Sequence, residues 1–208
     1  EDTADRLISA LVPRIEKLRV APYTDGDDVD FGPVVTREAK ERILGLIQSG
    51  VDQGAELVVD NRDFKLQGYE DGFFVGPHLF DRVTPDMDIY KQEIFGPVLS
   101  TVRAGSYEEA LKLAMDHEYG NGTAIFTRDG DAARDFANRI NIGMVGINVP
   151  IPVPLAYHTF GGWKKSMFGD LNQHGPDSFK FYTRTKTVTS RWPSGIKEGG
   201  EFNFKAMD

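Results

Sequence analysis

The 208-residue chain contains no cysteine. This absence excludes disulfide bonds, thiolate metal sites and a cysteine nucleophile within this polypeptide. It is also compatible with a reducing compartment, and we expect a cytoplasmic protein. The first residues, E-D-T, show neither the basic region nor the apolar region of a secretory signal peptide, which agrees with that expectation.

Two further features are missing from the sequence. No apolar run approaches the roughly 18 residues that a membrane-spanning helix requires, so we expect no membrane partner. Basic residues are outnumbered, with 24 Lys and Arg against 32 Asp and Glu, and the net charge is −8. That balance argues against a nucleic-acid-binding surface, which needs clustered positive charge. The composition, 40% hydrophobic and 27% charged, is typical of a soluble globular protein, and the chain is long enough for a full hydrophobic core.

The first third of the chain contains two helical patterns. Residues Thr3–Leu18 place apolar side chains at helical spacing, with Thr3 as the expected N-cap and Pro13 predicting a kink or a break. A second amphipathic helix is predicted over Thr36–Ser49, with Thr36 as its N-cap and Gly50 closing it.

From residue 55 onward, short apolar strands alternate with helices. Ala55–Val59 predicts a strand that continues into a hairpin-like stretch through Phe64 and Phe74–Val75. Further along, the predicted elements are a strand at Pro97–Val102, a helix opened by the S-x-x-E capping box at Ser106, a strand at Thr123–Thr127, a helix at Asp131–Ile140 and a strand at Met144–Asn148. Strand–helix–strand repeats are typical of right-handed parallel crossovers. The sequence therefore predicts an α/β fold with an open, mostly parallel twisted sheet and flanking helices.

The carboxy-terminal part of the sequence contains one late predicted strand and no further strand–helix repeat. Residues Thr183–Trp192 alternate polar and β-branched side chains and predict a late strand with no obvious partner in the preceding units. Such a strand can pair with a second chain, although pairing within its own sheet is more usual. We divide the chain into one domain over residues 1–180, an oligomerisation strand over 181–192 and a tail over 193–208.

Most familiar catalytic motifs fail on inspection. The segment Gly161–Ser166 contains the residue types of a phosphate-binding loop but not their order. Gly120–Gly122 begins like a dinucleotide fingerprint, yet Ile125 stands where the third glycine should be. The histidines are too far apart in sequence to suggest a zinc site, and each is more simply a surface or core residue: His78, His117, His158 and His174. We therefore predict no metal centre.

One acidic residue stands out, Glu93 in the run E-I-F-G-P before a predicted strand. Open α/β sheets bind ligands at strand ends. A carboxylate there could accept two hydrogen bonds from vicinal ribose hydroxyls, while the adjacent Phe95 could pack on a flat ring. The alternative is an ordinary solvated acid in a loop, which is a common arrangement.

The run Glu93–Val98 resembles the E-[IV]-F-G-P-V signature of the aldehyde dehydrogenase superfamily. Further matches follow in the order of the family, at Tyr119–Thr127, Gly143–Asn148, Phe160–Ser166 and Tyr182–Val188. The resemblance covers nearly the whole chain to about Trp192. Two segments, Asn148–Pro154 and Gly169–Asn172, are most similar to the CoA-acylating methylmalonate-semialdehyde dehydrogenase branch of that superfamily.

The resemblance implies NAD-dependent oxidation and decarboxylation of a (methyl)malonate semialdehyde to propionyl-CoA or acetyl-CoA, with coenzyme A as acyl acceptor. It assigns Glu93 to the nicotinamide ribose and Phe95 to packing near the nicotinamide. Phe160 corresponds to the aromatic residue beside the aldehyde pocket. The segment Pro150–His158 corresponds to the loop that shapes the approach of the acyl substrate or CoA.

The sequence also departs from the family. In the family, the nucleophilic cysteine and the nucleotide-binding domain precede the helix with which this chain opens, and this chain holds neither. We therefore expect the carboxy-terminal part of a longer enzyme, inactive alone, which forms a homo-oligomer (a dimer or a tetramer) through Thr183–Trp192. Two alternatives remain: a non-catalytic assembly or binding module that retains the fold, and an unrelated α/β domain with a coincidental E-I-F-G-P run.

Overall fold

The computed structural model describes residues 2–190 and 192. The chain packs as two compact units, Glu1–His117 and Glu118–Asp208. The division by role into residues 1–180, 181–192 and 193–208 stays a prediction, and the tail lies outside the described residues. No helix in the described ranges has the length and apolar character needed to cross a membrane.

The first unit is a small sheet with helices on its two faces. Its elements are α1 (Asp2–Ile15), α2 (Arg37–Asp52), β1 (Glu56–Val59), β2 (His78–Asp81), α3 (Asp88–Lys91), β3 (Val98–Ser100) and α4 (Tyr107–Asp116). The sheet has the order β1-β2-β3, with β1 antiparallel to β2 and β2 parallel to β3. Adjacent residues of β2 face opposite layers, because Leu79 packs in the cluster of α1 and Phe80 in that of α2.

Helix α1 begins earlier than the sequence predicts. It starts at Asp2, so Thr3 lies inside the helix and the expected N-cap is wrong. The helix continues without a break through Pro13 to Ile15. Packing explains this continuity, since Ile15 is buried with Val59 and Leu79 against the sheet. Burial of such side chains contributes about 1.5–3 kcal/mol each, which offsets one lost backbone hydrogen bond.

Helix α2 confirms its predicted start and corrects its predicted end. The Thr36 Oγ1 accepts a hydrogen bond from the Ala39 N–H at 3.1 Å, as an N-cap should. Gly50 lies inside the helix and does not close it. A Cβ at Gly50 would lie 2.8 Å from Ile89 Cδ1, so this glycine permits close packing between α2 and α3.

The strand that returns beside β1 is not the one predicted. Phe64 and Phe74–Val75 lie in the loop before β2, and the antiparallel partner of β1 is His78–Asp81. All four residues of β2 are buried, including the polar His78 and Asp81. Because polar side chains at both ends mask the apolar pair between them, the sequence pattern does not identify this strand.

The second unit contains a strand–helix–strand crossover. Its elements are β4 (Tyr119–Gly120), β5 (Gly122–Ile125), α5 (Gly130–Arg139), β6 (Met144–Ile147), β7 (Trp163–Lys164) and α6 (Ser178–Tyr182). Strands β5 and β6 are parallel, as predicted, while β4 and β7 form a short antiparallel pair. The α/β class is therefore confirmed, with open sheets in which parallel and antiparallel pairs both occur.

Residues 183–190 are exposed and form no strand in the single chain. A strand requires a hydrogen-bonded neighbour, and the described part of this chain does not supply one for this segment. The predicted pairing of Thr183–Trp192 with a second chain stays a prediction.

Candidate functional site

The turn that carries the E-I-F-G-P run connects α3 to β3 in the first unit. Ile94 is buried in the core cluster beneath α2, whereas its neighbours Glu93 and Phe95 are exposed. Phe95 is 72% exposed and has a φ of 53°. A left-handed backbone at an aromatic residue costs on the order of 1–3 kcal/mol and persists only where the surroundings enforce it.

Packing under Gly96 helps to enforce this conformation. A Cβ at Gly96 would lie 2.7 Å from Ile43 Cδ1, and Ile43 is fully buried on α2. No side chain other than hydrogen fits at this distance without displacement. The glycine of the run therefore allows the turn to lie directly on the core.

Hydrogen bonds from two other elements hold the turn. The Arg42 guanidinium on α2 donates to the Glu93 carbonyl oxygen at 3.2 Å and to the Ile94 carbonyl oxygen at 2.7 Å. The His78 backbone N–H of β2 donates to the Pro97 carbonyl oxygen at 2.8 Å. The backbone of the turn is thus fixed while two of its side chains remain exposed.

The Glu93 carboxylate forms no hydrogen bond or ion pair with the part of the chain that the structure describes. Its oxygens are therefore available to accept hydrogen bonds from two hydroxyl groups. The Phe95 ring is equally accessible to a flat partner. Both residues lie in one turn with exposed side chains, and their contact with the nicotinamide ribose stays a prediction.

The strand-end argument for Glu93 needs correction. The general rule places ligands at the carboxyl ends of strands in α/β sheets. Glu93 instead precedes the amino end of β3. The candidate therefore depends on its free carboxylate and its fixed backbone, and not on its position relative to the strand.

An apolar cavity of about 510 Å³ adjoins the turn through Gly96 and Pro97. His78 lines it and is 1% exposed. The His78 Nδ1 lies 2.8 Å from the Gly76 carbonyl oxygen, whereas its Nε2 has no partner among the described residues. Burial lowers the pKa of His78, which favours the neutral imidazole. His78 is thus a core residue, one of the two predicted alternatives, with one ring nitrogen paired and the other without a partner among the described residues.

The predicted substrate residue Phe160 lies in the second unit. Its ring is half-buried and stacks on the His174 ring, with centroids 4.2 Å apart and planes 31° apart. The residues on either side, Thr159 and Gly161, line a polar cavity of about 610 Å³ together with Asp170 and other groups. Phe160 itself is not among the lining residues, and its contact with an aldehyde stays a prediction.

Strand pairing and a side-chain hydrogen bond hold the glycine-rich segment after Phe160. Strand β7 pairs with β4, and the Ser166 Oγ accepts a hydrogen bond from the Gly120 N–H at 3.0 Å. Lys165 forms an ion pair with Glu118, whose hydrogen bond raises the pKa of Lys165. This exposed lysine is thus paired with a carboxylate of the same unit. Within the described ranges, no three potential metal-ligating side chains cluster together.

Asn148 follows the last residue of β6 and has a left-handed backbone, with a φ of 59°. Its side-chain amide accepts from the Thr127 N–H at 2.9 Å and donates to the Thr127 carbonyl oxygen at 3.0 Å, which ties together the carboxyl ends of β5 and β6. The following segment Pro150–His158 exposes Ile151, Val153, Leu155 and Tyr157. Exposed apolar side chains suit a ligand-facing loop, and that role stays a prediction.

The chain belongs to the aldehyde dehydrogenase family, whose model matches residues 1–188. It is 57% identical to a malonate-semialdehyde dehydrogenase from Pseudomonas aeruginosa over 208 residues, which is 100% of this chain and 42% of that protein. It is 52% identical to the mitochondrial acylating methylmalonate-semialdehyde dehydrogenase of Arabidopsis thaliana, covering 88% of this chain and 30% of that protein.

Solved structures agree with these similarities. A protein from Sinorhizobium meliloti 1021, described as a methylmalonate-semialdehyde dehydrogenase and crystallised with NAD, superposes with a TM-score of 0.89 at 75% identity. That match covers 95% of this chain and 40% of that one. The methylmalonate-semialdehyde dehydrogenase of Oceanimonas doudoroffii gives a TM-score of 0.87 at 56% identity, with coverage of 94% and 40%. The chain thus spans about two-fifths of these two proteins.

Proposed function

We propose that this chain is the carboxy-terminal part of an NAD-dependent, CoA-acylating (methyl)malonate-semialdehyde dehydrogenase. The observation that carries the proposal is the 75% identity, over 95% of the chain, to the NAD-bound Sinorhizobium meliloti protein. The fixed turn with an exposed carboxylate and an exposed ring supports the cofactor assignment independently.

In this proposal the residues of the turn bind and orient the cofactor. The Glu93 carboxylate accepts hydrogen bonds from the two hydroxyls of the nicotinamide ribose, and the Phe95 ring packs near the nicotinamide. Bound NAD supplies the hydride acceptor for oxidation of the aldehyde carbon. Because the turn is already fixed by Arg42 and by packing on Ile43, little conformational entropy is lost when the cofactor binds.

The acyl-transfer step requires a nucleophile that this chain does not contain. A thiolate suits the reaction because it is nucleophilic near neutral pH and leaves readily from a thioester. Since the chain has no cysteine, we assign that thiol to another part of the longer enzyme. The acyl group then passes to CoA, with Phe160 beside the aldehyde and Pro150–His158 along the approach of the acyl acceptor.

The first test concerns Glu93 in the longer enzyme. Glu93→Gln removes a charge-assisted hydrogen bond worth about 1.5–3 kcal/mol, so kcat/KM for NAD should fall about tenfold or more, through lower turnover or through weaker NAD binding. Glu41→Gln is the matched control, because Glu41 is an exposed acid on α2. Both variants should unfold at the midpoint of the parent enzyme. Turnover and NAD affinity at the level of the parent in Glu93→Gln would remove the assignment.

The chain alone should be inactive. Mixed with NAD⁺, CoA and malonate semialdehyde or its methyl analogue, the 208-residue chain should produce no NADH, because the thiol is absent. Absorbance at the NADH wavelength measures this directly. Turnover by the pure chain would contradict the proposal, and a longer enzyme that also fails to turn over would favour a non-catalytic assembly module.

We assign homo-oligomer formation to Thr183–Trp192. Residues 183–190 are exposed and form no strand pairing among the described residues, and Val188 and Trp192 are 75% and 89% exposed. Pairing with a second chain would satisfy the backbone groups and cover these apolar side chains. Deletion of residues 183–208 should reduce the number of chains in the assembly, as measured by sedimentation, whereas deletion of residues 193–208 alone should leave that number unchanged. The same number of chains per assembly in both deletion variants would contradict this role.

A further inference from the structure

We propose that Arg42 is a positioning residue for the dinucleotide, an inference that rests on the proposed function of Glu93 and Phe95. The guanidinium of Arg42 donates to two successive peptide carbonyls, those of Glu93 and Ile94, at 3.2 and 2.7 Å. These carbonyls immediately precede the left-handed Phe95. Arg42 therefore sets the direction in which the chain enters the exposed part of the turn.

The helix that carries Arg42 is a rigid base. Helix α2 is capped by Thr36, and Ile43, the residue next to Arg42, is fully buried against Gly96. The backbone of Arg42 is therefore fixed relative to the far side of the same turn. Two anchors from adjacent residues of one helix, a hydrogen-bonded cation and a packed side chain, define where the Glu93 carboxylate lies.

The choice of partners also points to a positioning role. Within the described residues, Arg42 forms no ion pair with a carboxylate, although arginine commonly does so. Its planar fork instead bonds two carbonyls that are 51 and 52 residues away in sequence. A lysine has no such fork and presents a single point charge, so it cannot hold both carbonyls in one fixed geometry.

Loss of Arg42 should impair cofactor binding more than folding. Arg42 itself is exposed, so water can replace its donors when the side chain is shortened. The turn can then relax from the strained conformation at Phe95, and the Glu93 carboxylate is no longer held in the geometry that binds the cofactor. The free energy of unfolding changes little, while the dissociation constant for NAD rises.

The test measures NAD binding by titration calorimetry in the longer enzyme that contains this chain. Arg42→Met should raise the Kd for NAD about tenfold, the loss expected for a charge-assisted hydrogen bond in the binding geometry. Arg42→Lys should show a smaller rise. Arg134→Met is the control, since it removes an exposed helical arginine whose only side-chain partner among the described residues is Asp131 of its own helix. Thermal unfolding midpoints should match in all four proteins.

A double-mutant cycle distinguishes positioning from independent binding. If Arg42 acts through Glu93, Arg42→Met should change the Kd less than about twofold in the Glu93→Gln background. Additive effects would overturn the inference, as would an unchanged Kd for Arg42→Met beside a raised Kd for Glu93→Gln. An unchanged Kd together with an unchanged turnover in both single variants would instead overturn the assignment of Glu93 to the cofactor, on which the inference rests. Should Arg42→Met fail to fold, a parental Kd for Arg42→Lys would overturn the inference.

Discussion

Replacement of Gly96 by alanine tests whether the turn lies as close to the core as the structure indicates. The added Cβ would lie 2.7 Å from Ile43 Cδ1 and 3.1 Å from both Cγ atoms of Ile43. Gly96 is not among the residues with a positive φ, so an alanine meets no backbone strain there. Because alanine also restricts the unfolded chain, which favours folding, a net loss of stability would report the lack of space for the added methyl group.

The expected cost follows from the burial of Ile43, which is 0% exposed and cannot swing into solvent. Inserting a methyl group into a packed interior costs about 1–3 kcal/mol. At an m-value of about 2 kcal/mol per molar urea, this lowers the unfolding midpoint by about 0.5–1.5 M. Ile43→Val removes the Cδ1 that makes the closest contact, so it should recover part of the loss in the double variant.

The same substitution on α2 provides the control. Gly45 is exposed within α2 and has no atom within 4 Å of its potential Cβ. Alanine is favoured over glycine in a helix interior, so Gly45→Ala should raise the free energy of unfolding by about 0.5–1 kcal/mol. Urea unfolding followed by circular dichroism compares the two variants. A midpoint for Gly96→Ala at or above that of the parent chain would refute the close approach.

Two further predictions concern buried polar groups of β2. Hydrogen bonds from Arg103 hold the pKa of Asp81 below its usual range, and Asp81→Asn should lower the free energy of unfolding by about 3 kcal/mol, the low end for a broken buried pair, because Arg103 keeps its ion pair with Asp5. In the same denaturation assay, Asp5→Asn should cost less than about 1 kcal/mol, because Asp5 is exposed; equal losses for the two variants would contradict this prediction. Burial lowers the pKa of His78, so near and below pH 6.5 the unfolded chain takes up a proton that the folded chain does not. The free energy of unfolding should therefore fall between pH 7.5 and pH 5.5 more in the parent chain than in His78→Leu, and parallel pH profiles for the two proteins would rule this out.

Local hydrogen bonds made several elements predictable. Thr36 caps α2, and Ser106 accepts from the Glu109 N–H at 3.1 Å at the start of α4. The Glu109 carboxylate accepts a hydrogen bond from the Gly105 N–H at 2.7 Å, one residue before the position expected for a capping box. Such caps join residues only three or four apart, so the sequence order itself brings them together.

Strand β2 and the end of α2 were not predictable in this way. His78 and Asp81 are polar, and their burial depends on partners such as the Gly76 carbonyl and Arg103, the latter 22 residues away from Asp81. Gly50 reads as a helix end, yet it is required by the approach of Ile89. A periodic pattern carries no information about which distant element will lie against a given residue.

The amino-acid sequence alone determined the family signature at Glu93–Val98, the α/β order of elements and the absence of a thiol, because each is a matter of residue identity or of contacts between near neighbours. Only the tertiary structure decided that Arg42 bonds the carbonyls of Glu93 and Ile94 and that Ile43 packs beneath Gly96. Those contacts span about fifty residues of chain, and they form because burial of the apolar face of α2 brings that helix against the turn.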